Sequence, residues 1–296
     1  MASSPARLTI VRREQTFASA LGETRYSVIL PETYDAPAAR HTRYPVLYVL
    51  HGISGHEDEW LNGSRLVDYA TGRNLIIISA DAAQRCYVDS VDGSSLCETM
   101  VARDLVTFTD TTFRTIPTRD ARALMGLCMG GYGSLYLSLR HPSLFSAAAS
   151  LSGAFIIGLV RIGERMPDRA HVDRLFPSSM SAREQWDLFA QLRIAPREVR
   201  DTLRWKLLCG TEDRLIEINR AFHHYLLALG VPHDYAEFPG EHNWPFWDTH
   251  AVECLDYLAP HLTPATHEPH LHQLQRRRLP LQRPHPLQQR PVPQVR

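Results

Sequence analysis

Five short apolar runs set the limits on what this chain can fold into. YPVLYVL (44–50), NLIIISA (74–80), ARALMGL (121–127), SAAASLSG (146–153) and LRWKLLCG (203–210) are dense in aliphatic residues rather than alternating. Runs of this length suit strands buried on both faces. Helical spacing separates them: around 60–71, over 98–114, from Gly133 to Arg140, over 215–229 and over 244–260. Strand–helix alternation of this kind implies a mostly parallel sheet with helices on both faces. HDYAEFPG (233–240) reads as the last strand. Residues 7–13 and 25–31 alternate apolar with polar and read as an antiparallel hairpin on one edge.

Composition bounds the rest. With 296 residues the chain is long enough for one large α/β domain. The formal net charge is zero, so no strong field argues for nucleic acid or an anionic membrane as partner. No run approaches the ~20 apolar residues of a membrane span. The N-terminus has no apolar core of signal-peptide length, and a cytoplasmic protein is the expectation. The domain is expected over 1–262, with a helical insertion at about 153–200 lying over the carboxyl edge of the sheet. From 263 to 296 the chain is nearly all His, Gln, Arg, Pro and Leu, and reads as a disordered tail. His270 and His272 are read as solvated tail residues, not a metal site. The five cysteines (Cys86, Cys97, Cys128, Cys209, Cys254) show no CxxC pair. Small buried thiols are the favoured reading over a Cys86–Cys97 disulfide.

One motif carries chemistry. RALMGLCMGGYGSL (122–135) runs from a strand into a helix, with Gly126 and Gly130 two residues either side of Cys128. A nucleophile on a sharp strand-to-helix turn needs small neighbours there, so that strand and helix can approach. The Met129 amide then points to where an oxyanion forms, at a helix N-terminus. A phosphate-binding P-loop needs a lysine straight after its last glycine, and the only lysine is Lys206. The segment does not match a dinucleotide fingerprint either.

A nucleophile at 128 calls for an acid and then a histidine, each after a later strand. LLCGTEDRL offers Asp213, with Glu212 as the fallback, and FPGEHNWPFW offers His242. His242 is expected to shuttle the proton, with Asp213 fixing its tautomer. The second oxyanion donor is expected from LHGISGHEDEW (50–60), at the amide of Ile53. Trp60, Tyr87, Trp244 and Trp247 suggest an apolar pocket wall.

Taken together, LYVLHGISGHEDEW, CYVDSVDGSSLCET, RALMGLCMGGYGSLYLSLRHPSLF and GTEDRL…FPGEHNWPFW resemble the "Putative esterase" family of α/β-hydrolases. That family includes S-formylglutathione hydrolase, tributyrin-type esterases, feruloyl esterase domains and mycolyltransferases. The resemblance spans about 7–260. It implies an α/β-hydrolase fold, no cofactor, and cleavage of a small-molecule ester or thioester. The family's nucleophile, acid and base fall on Cys128, Asp213 and His242, and its oxyanion donors on Ile53 and Met129. A homodimer is compatible with the resemblance, dimers being common in that family.

The chain departs from the family in two places. Cys128 stands where the family normally has serine. Cys97 precedes Glu98 where tyrosine is common, which is expected to reshape the pocket near Glu98. The dienelactone hydrolases of the wider fold resemble the Cys-His-Asp arrangement. A thiolate is intrinsically the better nucleophile, so cysteine alone does not imply inactivity. The competing reading is a weakly active or non-catalytic relative that binds an acyl ligand or a protein partner.

Overall fold

The computed structural model describes residues 9–83, 85–155 and 183–267. Eight strands form one sheet: β1 (Ile10–Ser19), β2 (Gly22–Leu30), β4 (Val46–Leu50), β5 (Ile76–Ala80), β6 (Arg122–Leu127), β7 (Ala147–Leu151), β8 (Trp205–Gly210) and β9 (His233–Phe238). Their order across the sheet is β1-β2-β5-β4-β6-β7-β8-β9. β1 pairs antiparallel with β2, and β2 antiparallel with β5. Every pairing from β5 through β9 is parallel. This is the α/β-hydrolase arrangement, with the expected hairpin on one edge.

The non-alternating runs are explained by two apolar layers. Along β4, Val46, Tyr48 and Leu50 point into one core and Leu47 and Val49 into the other. The first core is closed by the helices Met129–Arg140 and Ile216–Ala228 and by the helical stretch Cys97–Thr112, whose middle, Met100–Leu105, is π-helical. The second is closed by the helices Leu66–Ala70 and Trp244–Leu258. Full burial of each Leu, Ile or Phe contributes about 1.5–3 kcal/mol, so this layering dominates the stability of the sheet.

Chain order reverses at β4. The connection after β4 leads to β5 on one side, whereas β6 lies on the other. In open α/β sheets, the carboxyl ends flanking such a reversal diverge and leave a crevice. The loop after β4 and the turn after β6 meet there.

Two details differ from the sequence expectation. The helix expected at 60–71 is two short helices, Glu59–Gly63 and Leu66–Ala70. Arg65 between them gives its backbone N–H to the Asp248 carboxylate at 2.7 Å, so a tertiary contact breaks the helix. Residues 263–267 belong to the domain rather than the tail: Thr266 and His267 form β10, which pairs with β3 (Thr42–Arg43). The rest of the tail, 268–296, lies outside the described residues, as do 156–182 of the expected insertion. Its remainder forms the helices Leu188–Ile194 and Arg197–Arg200. Trp186 and Leu188 pack in the first core, and the Trp186 carbonyl accepts from the Tyr132 hydroxyl at 2.6 Å. All five cysteines are free and buried. Among the described residues, no helix is long and apolar enough to cross a membrane.

Candidate functional site

Cys128 joins β6 to the helix Met129–Arg140 with φ 51° and ψ −116°. Such a conformation costs about 1–3 kcal/mol and persists only where its surroundings over-determine it. Here they do. The Cys128 N–H donates to Leu151 of the neighbouring strand at 2.9 Å, and its carbonyl accepts from Tyr132 at 3.1 Å and Ala154 at 3.0 Å. The two flanking glycines let the strand and helix close. A Cβ on Gly126 would lie 2.2 Å from the Gly130 carbonyl oxygen, and one on Gly130 would lie 2.2 Å from that of Leu50. Both obstacles are backbone, which cannot rotate aside. Gly130→Ala is therefore expected to destabilise the fold by about 3 kcal/mol or more. Urea unfolding checks this, and an unchanged midpoint refutes it.

Asp213 and His242 follow β8 and β9, so both stand at the same carboxyl edge as Cys128. His242 Nδ1 lies 2.9 and 2.8 Å from the two oxygens of Asp213, which is 2% exposed. Burial alone would raise the Asp213 carboxyl. Hydrogen bonds from His242, Ser152 and the Leu215 amide outweigh it and hold the pKa below the usual carboxylate value. Burial likewise opposes charge on His242, but Asp213, and after it Cys128, raise its pKa to about 9. Nδ1 is committed to Asp213, which leaves Nε2 for Cys128. Nε2 is buried and makes no hydrogen bond among the described residues. Cys128 lies close enough to help raise the His242 pKa, short of a geometrically formed bond. Such contacts often tighten only when substrate binds. Glu212, the fallback acid, is exposed and accepts from the Thr211 hydroxyl and the Gly240 amide, fastening the loop before His242 to the loop after β8.

The loop after β4 turns tightly. Gly55 N–H bonds back to the Gly52 carbonyl at 3.1 Å, and Ser54 sits at φ 66°. The second residue of such a turn, Ile53, keeps a free amide. Met129, first in its helix, does so because no earlier turn exists to accept it. Among the described residues neither amide has an acceptor. A Cβ on Gly52 would lie 3.6 Å from the Cβ of Cys128, so the loop rests against the elbow. Glu59 braces it by accepting the Gly52 N–H at 3.0 Å. His51, fully buried and with its pKa lowered by that burial, accepts from the Ala82 N–H through Nε2 and meets the Gly52 carbonyl through Nδ1.

Three expected pocket residues are scaffold instead. Trp60 is fully buried in the second core and donates its indole N–H to the Leu50 carbonyl at 3.1 Å. Tyr87 is fully buried, with its hydroxyl on the His51 carbonyl, and props the same loop from below. Glu98 accepts from Tyr136, Arg140 and His141 at 2.9–3.2 Å. Against the burial that would raise it, these partners hold its pKa low, and it anchors the end of the helix that follows Cys128. Only Trp244 of the named pocket residues is half-exposed, edge-on to Trp60 at 5.6 Å and to Trp247 at 5.4 Å.

Sequence reasoning missed Ser152. It sits at φ 51° just past β7, accepts from the Trp247 indole at 3.0 Å and bonds to Asp213. Trp247 lies edge-on to His242 at 5.0 Å, so this pair fixes the acid and the base together. SAAASLSG looks like a plain strand, and the backbone turn at Ser152 has no local signal. An open cleft of about 250 Å³ lined by Arg119, Asp120, Ser146, Thr202, Arg204 and His261 lies at the opposite edge of the sheet and shares none of these residues.

The family profile described as "Putative esterase" matches residues 18–255. Acetyl esterase of Caldicellulosiruptor saccharolyticus is 26% identical over 220 residues, covering 72% of this chain and 82% of the relative. Esterase Rv1288 of Mycobacterium tuberculosis H37Rv is 28% identical over 243 residues, covering 73% of this chain and 52% of the relative. The chain thus spans about half the length of that mycobacterial protein. Among solved structures, a ferulic acid esterase superposes with a TM-score of 0.73 at 22% identity, covering 86% of this chain and 98% of its own. S-formylglutathione hydrolase of Staphylococcus aureus superposes with a TM-score of 0.71 at 22% identity, covering 84% and 98%. At such identities the likeness is one of fold.

Proposed function

The chain belongs to the "Putative esterase" family, and from that premise we propose that it hydrolyses small-molecule carboxylic esters or thioesters through Cys128, His242 and Asp213. Cys128 Sγ attacks the acyl carbon. The amides of Ile53 and Met129 receive the resulting oxyanion. His242 gives its Nε2 proton to the departing alcohol or thiol, then draws a proton from water to release the acid. Asp213 keeps Nδ1 protonated, so that Nε2 is the nitrogen that exchanges. None of these roles needs a cofactor.

One observation carries this reading: a buried imidazole bonded to a carboxylate through Nδ1, with Cys128 close enough to help raise its pKa. The acetyl esterase relative directs the first assay to acetate esters. The protein is mixed with p-nitrophenyl acetate and butyrate, and nitrophenol release is followed over time. A burst followed by turnover is expected, and neither burst nor turnover refutes the esterase reading.

A second test is selective alkylation. Burial pushes Cys86 up to about 12 and Cys97, Cys209 and Cys254 well up, so all four resist iodoacetamide. Cys128, beside His242 and at a helix N-terminus, is expected to be the thiol modified first. Peptide mapping reads the site, and label spread evenly over several cysteines contradicts the pairing.

A further inference from the structure

The esterase reading makes the covalent intermediate a thioester, because the acyl group sits on Cys128 Sγ rather than on an oxygen. The two esters differ little toward hydroxide but widely toward amines. Sulfur 3p electrons overlap weakly with the carbonyl, which leaves the carbon more electrophilic. When an amine adds, the adduct expels the better leaving group. From a thioester that is thiolate, and the amide forms. From an oxygen ester the amine itself leaves more readily, and nothing is gained.

The surroundings favour an uncharged acceptor. Cys128 is 7% exposed, Met129 2% and Trp247 7%. His242 Nε2 is buried and unbonded. Such low exposure penalises a charged ammonium far more than a neutral amine. Acylation also removes the Cys128 interaction that helps raise the His242 pKa, so the imidazole becomes a readier base at the moment one is needed.

We propose that the acyl-enzyme of this chain transfers its acyl group to neutral primary amines, forming amides, in preference to water. This rests on the esterase reading above. The amine nitrogen attacks the thioester carbon and the C–N bond forms. His242 Nε2 takes the surplus N–H proton. The C–S bond breaks, its electron pair stays on Cys128 as thiolate, and the thiolate pairs again with the imidazolium. Atoms and charge balance with no further reactant.

The test uses phenyl acetate as acyl donor and glycinamide as acceptor at mildly alkaline pH. Phenol release is followed optically, and acetate and N-acetylglycinamide are quantified by NMR, with Cys128→Ala as background. Glycinamide is expected to accelerate phenol release, with amide exceeding acetate. In Cys128→Ser the amide-to-acetate ratio is expected to fall by about tenfold or more, equivalent to about 1.4 kcal/mol between the two partition barriers. A phenol burst with acetate as the sole product, or an equal ratio in the cysteine and serine proteins, overturns the transfer proposal and leaves the esterase reading standing. No phenol release at all sinks both. If Cys128→Ser is inert, acceleration of the parent by glycinamide decides alone.

Discussion

Cys128→Ala is expected to hydrolyse p-nitrophenyl acetate about four orders of magnitude more slowly than the parent, through kcat rather than KM. In the proposed mechanism alanine removes the one protein atom that bonds to the acyl carbon. The main-chain bonds from Leu151, Tyr132 and Ala154 that hold the turn remain available. Circular dichroism and urea unfolding should therefore match the parent closely. Turnover unchanged in this variant moves the chemistry elsewhere. The same variant has a second readout: without the sulfur, the His242 pKa measured by NMR is expected to fall from its raised value.

His242→Ala is expected to cost about three to five orders of magnitude in kcat, and the double variant with Cys128→Ala no more than the worse single one. Non-additivity of this kind marks residues acting as a unit, whereas two independent structural losses would add. Protonation carries a stability signature as well. The His242 pKa is raised from 6.5 to about 9 by its neighbours. The stabilisation is therefore complete below about pH 6.5 and is lost as pH climbs through 9. Melting temperature is expected to drop across that interval in the parent and less so in His242→Ala. Parallel curves contradict the pairing with Asp213.

How far the sequence could be read depended on what positioned each residue. β4, β5, β6, β7 and β8 were legible because burial on both faces leaves only apolar side chains possible. That Cys128, Asp213 and His242 stand at one edge was legible because parallel strands bring their ends together; Cys128 and Asp213 closely follow such buried strands, whereas His242 follows the partly exposed β9. Trp60, Tyr87 and Glu98 were misread for the opposite reason. Nothing local says whether an aromatic ring on a site loop faces the ligand or the core. For Trp60 the answer lies in the Leu50 carbonyl, and for Tyr87 in that of His51. Glu98 finds its partners about forty residues later, at Tyr136, Arg140 and His141. Ser152 was invisible because its role comes from a backbone turn and from Trp247, a distant partner.

The three corners of the site do not rest on equally firm ground. Cys128 follows β6, which is buried along its whole length between two partner strands. His242 follows β9, which pairs on one side only and has no fully buried residue. Breathing of β9 therefore separates His242 from Cys128 while the centre of the sheet stays intact. Under mild urea, activity should vanish before the near-ultraviolet signal of the core does. Amide hydrogens of residues 233–238 should exchange sooner than those of 122–127. The proposed catalytic arrangement is thus less durable than the molecule that holds it, and its working range is set by the weakest strand.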